Sequence, residues 1–212
     1  FITGVTGQDG SYLAELLLSK NYIVHGLLRR TSFLNLDRIQ DIIDKYESKG
    51  LLNLHYIDLT DTSSITNLII KYKPHEFYNL ASMSHVGISY FTGEATLNIN
   101  AIATYRILES ILKNHKKCKF YQASSSEMFG STPPPQNEKS PFNPQSPYGI
   151  SKVAAYYTTR YFRQAHGLFA SNGILFNHES PRRGLNFVTR KITHSLARIL
   201  SGHEKKNLSG RY

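Results

Sequence analysis

The 212-residue chain carries 25 Lys and Arg against 15 Asp and Glu, a formal net charge of +10, with 40% hydrophobic and 19% charged residues. That balance excludes a disordered chain and allows one well-buried domain plus the beginning of another. No apolar run approaches the ~18 residues of a membrane span, and the opening Phe1-Ile2-Thr3 is too short, and too polar in its sequel, for a signal peptide. The single cysteine, Cys118, rules out an internal disulfide and points to a reducing, cytoplasmic setting. It reads as a small apolar residue at the start of a strand. Charge is unevenly spread, because residues 182 to 212 hold eight Lys and Arg against one Glu. This is either a basic surface for a phosphorylated ligand or a segment whose acidic complement lies in a further part of the protein. No aromatic residues interleave with the basic ones as in an RNA-binding sheet, which argues against nucleic acid. Without an initiator Met and with no closing element after residue 201, the chain reads as a piece of a longer protein.

Short apolar strand-like runs alternate with amphipathic helical stretches, which predicts an α/β fold with a doubly wound parallel sheet. Strands are expected at residues 1–3, 23–28, 52–56, 76–80, 119–123 and 168–175. Helices are expected at 11–20, 37–48, 63–71, 95–114, 148–166 and 187–201. The stretch 97–112 reads as apolar nearly all round and is expected to lie between neighbouring helices or subunits. Six of the eight prolines fall between Pro133 and Pro147, marking a long irregular loop. In a doubly wound sheet such loops lie at the carboxyl ends of the strands, where ligands bind. The expected division is a Rossmann-like dinucleotide-binding domain over residues 1–176 and the start of a smaller substrate domain over 177–212.

Two groups flank that loop. Tyr148 and Lys152 are four residues apart and share one helical face; a nearby ammonium favours the phenolate, making the tyrosine a usable general base. Upstream, Ser125 and Glu127 follow a strand, offering a hydroxyl donor and a carboxylate base. A surface carboxylate is the ordinary alternative for Glu127. Gly4, Thr6, Gly7, Gln8, Asp9 and Gly10 lie in a G-x-x-G-x-x-G turn between a strand and a helix. Its glycines admit close approach of backbone N–H groups to a pyrophosphate. Nineteen residues after Gly10 stand Arg29 and Arg30, followed by Thr31 and Ser32, where an NAD site usually has a carboxylate. Two guanidiniums suit a 2′-phosphate, so NADP is the expected cofactor; a solvated arginine pair is the alternative. Asp58 and Leu59 fall where such folds meet the adenine, with Asp61 expected to cap the following helix. Leu80 ends the fourth strand and Ser84 follows it, beside the same crevice.

These motifs, with Tyr121-Gln122-Ala123-Ser124, Ser146-Pro147-Tyr148-Gly149, the run Asn172 to Gly184 and the run Asn186 to Lys191, resemble the GDP-mannose 4,6-dehydratases. These belong to the extended short-chain dehydrogenase/reductases, and the likeness extends over nearly the whole chain. The resemblance implies a homo-oligomeric lyase that converts GDP-mannose to GDP-4-keto-6-deoxymannose by internal hydride transfer through NADP. It assigns Tyr148 to deprotonating the carbon-four hydroxyl, and Lys152 to the cofactor ribose and to keeping the phenol acidic. Glu127 becomes the base at carbon five and Ser125 a donor to the carbon-four oxygen. His178 and Arg183 are carried over to the nicotinamide end of the cofactor, and Asn177, Lys191 and Ser84 to the nucleotide sugar. The chain departs from the family at Ser125 (threonine), Ser82-Met83, Ala95 (tyrosine) and Gln145 (arginine). Two alternatives remain open: a related NADP-dependent nucleotide-sugar reductase or epimerase, and a non-catalytic NADP-binding regulator.

Overall fold

The computed structural model describes residues 1–29 and 35–203; Arg30, Thr31 and Ser32 lie outside them. The chain divides into two compact units, the first Phe1–Asn177 and the second beginning at His178.

In the first unit, β1 (Ile2–Thr3), β2 (Val24–Leu28), β3 (Leu52–Tyr56), β4 (Glu76–Asn79), β5 (Lys119–Ser125) and β6 (Ala170–Leu175) form one sheet. The strand order is β3-β2-β1-β4-β5-β6 and every pairing is parallel. The direction of strand succession reverses between β1 and β4, the switch point at which such sheets open a crevice. Alternation of side chains across the strands builds two cores. On one face Leu27, Phe77 and Phe120 pack with Ile65 and Ile69 of α3 (Thr62–Tyr72), Ile107, Leu108 and Ile111 of a later helix, and Phe162. On the other, Ile2, Val24, Leu28 and Leu52 meet Ala14 and Leu18 of α1 (Gln8–Ser19) and Ile42 of α2 (Gln40–Tyr46). The strands are short, so the sheet is held mainly by helices buried on both faces.

The helix expected at 95–114 is three consecutive pieces. They are α5 (Gly93–Leu97), a π-helical turn at Asn98–Ile102 and α6 (Ala103–Asn114); before them lies a short α4 (Val86–Ser89), which the sequence reading missed. Nor is this stretch apolar all round. Asn100, Ala103, Thr104, Ile107, Leu108 and Ile111 are buried, whereas Leu97, Ile102 and Tyr105 are exposed. The apolar residues are too many for one face, so a second apolar stripe is left at the surface.

Helix α1 starts three residues earlier than expected, because its first turn is polar and carries no apolar period. Strand β6 starts at Ala170, two residues later than expected: the buried Leu168 still belongs to the helix-end turn, its N–H donating to Phe162 O at 3.4 Å. Helix α7 (Pro147–His166) is launched by Ser146, whose Oγ accepts from Gly149 N–H at 3.0 Å, with Pro147 at the first helical position. Asp61 caps α3 as expected, accepting from Ser63 N–H at 2.9 Å.

In the second unit, α8 (Val188–Leu200) presents Val188, Ile192, Leu196 and Leu200 at four-residue spacing, all exposed. Among the described residues no helix is long and apolar enough to cross a membrane.

Candidate active site

The glycine turn is built for close approach. Gly4 has φ +67°, a left-handed conformation that L side chains rarely adopt. Gly10 lies so near the turn that a β-carbon would collide with the Gly4 carbonyl oxygen and stand 2.8 Å from Val5 Cα. Gly7, extended at φ −73° and ψ 174°, occupies the N-cap of α1 and offers no side chain to it. Backbone amides and the helix dipole, with no intervening β-carbons, form a cradle of the kind that holds a dinucleotide pyrophosphate.

Where β1 ends, the turn is fastened to β4. Thr3 Oγ1 donates to Asn79 Oδ1 at 2.8 Å and accepts from the N–H groups of Leu80 and Ala81, each at 3.0 Å. This sets Leu80 and the following segment against Gly4. Arg29 lies just beyond the end of β2, exposed, while Asp58 follows β3. Hydrogen bonds from Thr60 N–H and Oγ1, at 2.8 and 2.7 Å, hold the Asp58 carboxyl below the usual carboxylate range, and the charge of Arg29 adds to the effect. Asp58 is thus engaged in its own turn and Leu59 packs against the core. Ser84 is exposed beyond β4.

Of the sequence-predicted site residues, Lys152 is held by burial and by a main-chain bond. It is 3% exposed, its Nζ donates to Ala123 O at 2.9 Å, and it lies 5.6 Å from the centroid of the Tyr148 ring. Burial pushes its pKa down to about 8. Tyr148 is buried beside it, and its N–H donates to Ser89 Oγ of α4 at 3.3 Å. Ser125 ends β5, and its Oγ accepts from Glu127 N–H at 3.2 Å, opening a single 3-10 turn at Ser126–Met128. The first turn of α7 rests on that turn: a β-carbon on Gly149 would stand 2.8 Å from the Glu127 carbonyl. Ser125, Glu127, Tyr148 and Lys152 therefore share one locality at the carboxyl end of β5.

Behind them runs a buried polar network that sequence reading missed. Asn79 Nδ2 donates to Gln122 Oε1 at 2.8 Å and to Thr104 Oγ1 at 3.2 Å, and Gln122 Nε2 donates to the same Ala123 carbonyl that holds Lys152. Asn100, 2% exposed in the π-helical turn, accepts from Ser82 Oγ and Met83 N–H and donates to Ser151 Oγ at 3.0 Å. Such a π turn commonly marks a functional position. No local motif announces these residues, because their partners across the network lie 17 to 51 positions away, apart from the neighbouring Gln122–Ala123 bond. Arg38 also went unnoticed; its Nη1 donates to Thr6 O in the glycine turn at 3.2 Å.

Of the substitutions noted against the family, Ala95 and Gln145 are both exposed. Gln145 Nε2 donates to Ser131 Oγ and Asn143 O within the proline-rich loop. Asn177 closes the first unit. In the second unit Arg183 lies 3.9 Å above the Phe187 ring centroid with its Nε 3.6 Å from Glu179 Oε2, while His178 and Lys191 are exposed. Among the described residues no cluster of three or more His, Cys, Asp or Glu is placed to hold a metal ion.

Residues 1–212 match the family model described as GDP-mannose 4,6 dehydratase. The chain belongs to the GDP-mannose 4,6 dehydratase family. It is 55% identical over 215 residues to GDP-mannose 4,6 dehydratase 2 of Arabidopsis thaliana, an alignment covering 99% of this chain and 58% of that protein. It is 51% identical over 208 residues to a GDP-mannose 4,6-dehydratase of Vibrio cholerae, covering 96% and 56%. The Drosophila melanogaster member is 51% identical over 203 residues, covering 93% and 51%. The chain thus spans little more than half the length of these family relatives. Among solved structures, a dTDP-glucose 4,6-dehydratase of Streptomyces venezuelae with NAD and TYD bound superposes with TM-score 0.79 at 21% identity, covering 95% of this chain and 62% of that one. A UDP-N-acetylglucosamine 4-epimerase of Methanobrevibacter ruminantium gives 0.80 at 23%, covering 95% and 62%. At this identity the two structures establish the fold that the GDP-mannose 4,6 dehydratase family shares with them.

Proposed function

We propose that the whole protein is an NADP-dependent GDP-mannose 4,6-dehydratase, a hydro-lyase yielding GDP-4-keto-6-deoxymannose. The observation that carries this reading is the convergence of Ser125, Glu127, Tyr148 and Lys152 at the end of β5 in a chain that matches the family along its length. A dinucleotide fits the residues present: a β-carbon at Gly4 or Gly10 would fill the cradle at the α1 N-terminus. Gly4, Thr6, Gly7, Gln8, Asp9 and Gly10 would hold the pyrophosphate, Asp58, Leu59, Leu80 and Ser84 the adenosine and nicotinamide flanks, and Lys152 a ribose. Arg29 at the end of β2 favours a phosphorylated ribose and so NADP over NAD. When bound, the nicotinamide would take the carbon-four hydride and return it to carbon six, with a proton returning to carbon five.

The chain's own groups manage the protons. Tyr148, with the Lys152 ammonium 5.6 Å from its ring centroid, takes the proton of the carbon-four hydroxyl. Ser125 donates to the oxygen left there. The resulting ketone acidifies carbon five, and Glu127 removes that proton and delivers one to the carbon-six hydroxyl as water leaves. Lys152 sits where removing its charge would leave Tyr148 a weak base. The assignments of Asn177, His178, Arg183 and Lys191 to cofactor and substrate rest on the matched family runs, and Residues 1–176 and 177–212 are proposed as the cofactor and substrate portions.

A homo-oligomer is proposed from the uncovered apolar side chains Leu97, Ile102, Tyr105, Ile150, Tyr157 and Tyr161 on α5 to α7. A cytoplasmic setting is proposed from the single cysteine, Cys118, buried as a thiol.

Mass spectrometry of GDP-mannose incubated with the full-length protein and NADP+ tests the reading. Loss of one water, abolished in Glu127→Gln, is the expected result. Unchanged GDP-mannose in the presence of retained NADPH binding overturns it.

A further inference from the structure

We propose that Gln122 is a positioning residue for the reaction, holding the Lys152 ammonium beside Tyr148 through a main-chain carbonyl that Gln122 and Lys152 share. The inference rests on the function proposed above. Pairing of β4 with β5 runs to Asn79↔Gln122, so Ala123 is the first residue of β5 beyond it. The N–H groups of Leu80 and Ala81, next along from β4, are taken by Thr3 Oγ1 at 3.0 Å each. The Ala123 carbonyl oxygen accepts from two buried side chains, Lys152 Nζ at 2.9 Å and Gln122 Nε2 at 3.1 Å. A carbonyl oxygen has two lone pairs. With one side occupied by the Gln122 amide, the ammonium is confined to the other.

The hydrogen bonds around it allow the Gln122 amide one orientation. Thr3 Oγ1 accepts from two main-chain N–H groups, which only donate, so its own proton goes to Asn79 Oδ1 at 2.8 Å. That turns Asn79 Nδ2 toward Gln122 Oε1, 2.8 Å away, and Thr104 Oγ1 lies 3.2 Å from the same oxygen. Gln122 Nε2 is thereby left facing Ala123. Thr3, Asn79, Thr104, Gln122 and Lys152 are all buried, where a hydrogen bond is stronger than in water. Donation therefore runs one way, from the segment after β4 to the carbonyl that holds Lys152. Its effect falls on Tyr148, because the ammonium 5.6 Å from that ring centroid favours the phenolate. An apolar side chain at position 122 would vacate one side of the Ala123 oxygen and let Nζ shift toward it, weakening that support.

Two measurements on the full-length protein test this: turnover of GDP-mannose against pH, and ultraviolet titration of Tyr148. The Tyr148 phenolate step is isolated as the difference between each protein and the same protein carrying Tyr148→Phe. In Gln122→Leu, kcat should fall about tenfold with KM within about twofold of wild type. The rising limb of kcat and the phenolate step should both move up by about one pH unit. Thr159→Val, which removes the bond from Thr159 Oγ1 to Ala155 O elsewhere on α7, should lower the melting temperature and move neither. Loss of kcat in Gln122→Leu with an unmoved phenolate step is a structural effect and overturns the proposal, as does an unchanged kcat. If Gln122→Leu does not fold, Gln122→Glu decides, because a neutral carboxyl keeps both bonds whereas a carboxylate cannot donate to Ala123. Turnover relative to wild type that rises as pH falls supports the role of Gln122; a ratio that stays constant or drops overturns it. A wild type that leaves GDP-mannose unchanged sinks the proposed function, and the phenolate step alone then decides for or against Gln122.

Discussion

Lys152 of α7 donates from Nζ to the main-chain carbonyl of Ala123 on β5, 29 residues away, at 2.9 Å. That bond ties the helix carrying Tyr148 to the strand carrying Ser125. It also leaves a buried ammonium whose burial lowers its pKa to about 8.

A buried cation is costly unless well paired, and Lys152 carries that cost at the proposed site. Lys152→Met should raise the melting temperature and cut turnover of GDP-mannose by 100-fold or more. The sign follows from linkage. A lysine whose folded pKa lies below its unfolded value binds fewer protons folded between pH 8 and about 10.5. Its share of stability therefore rises with pH through that window and is absent below it. Melting curves from pH 7 to 10 should show this rise in wild type and lose it in Lys152→Met. An unchanged slope would place the shift elsewhere.

Ser125 closes the turn that carries Glu127 and, in the proposed mechanism, would donate to the carbon-four oxygen. Ser125→Ala should lower kcat by about 10- to 100-fold with little effect on KM, as for loss of one donor to a developing oxyanion. Ser125→Thr retains the hydroxyl and stiffens its rotamer, and should at least preserve kcat. Equal kcat for serine and alanine would remove Ser125 from the chemistry.

Gly10→Ala sets a β-carbon against the Gly4 carbonyl and Val5 Cα, both main-chain atoms that cannot swing away. Loss of measurable NADPH binding in a protein that still folds, or failure to fold, is expected. Binding within twofold of wild type would mean the cradle is looser than its geometry.

His25 and His55, on neighbouring strands, place Nδ1 and Nε2 at 2.9 Å with their rings stacked at 5.1 Å, beside Tyr72. Burial, then the neighbouring His55, lowers the His25 pKa to about 4. The unfolded chain then binds more protons between about pH 6.5 and 4, so stability is full above this window and falls as pH drops through it. His25→Phe should flatten the acid limb of melting temperature against pH. A limb of unchanged steepness would assign acid sensitivity to the carboxylates.

Alone, the sequence determined the features that depend on near neighbours. Strand runs and helical periods specified the parallel α/β fold, G-x-x-G-x-x-G specified a turn at a helix start, and the four-residue spacing of Tyr148 and Lys152 put them on one face. Asp61 was legible as a cap for the same reason, whereas the cap at Ser146 became visible only with α7. Tertiary structure decided what depends on distant partners. Thr3 meets Asn79 across 76 positions, Asn100 meets Ser151 across 51, and Arg38 meets Thr6 across 32. It also broke the expected helix at 95–114 into three pieces, because Asn100 must turn inward to bond Ser82, Met83 and Ser151. Local propensity is set by a residue and its neighbours, whereas a buried polar group is satisfied only by whatever the fold brings to it.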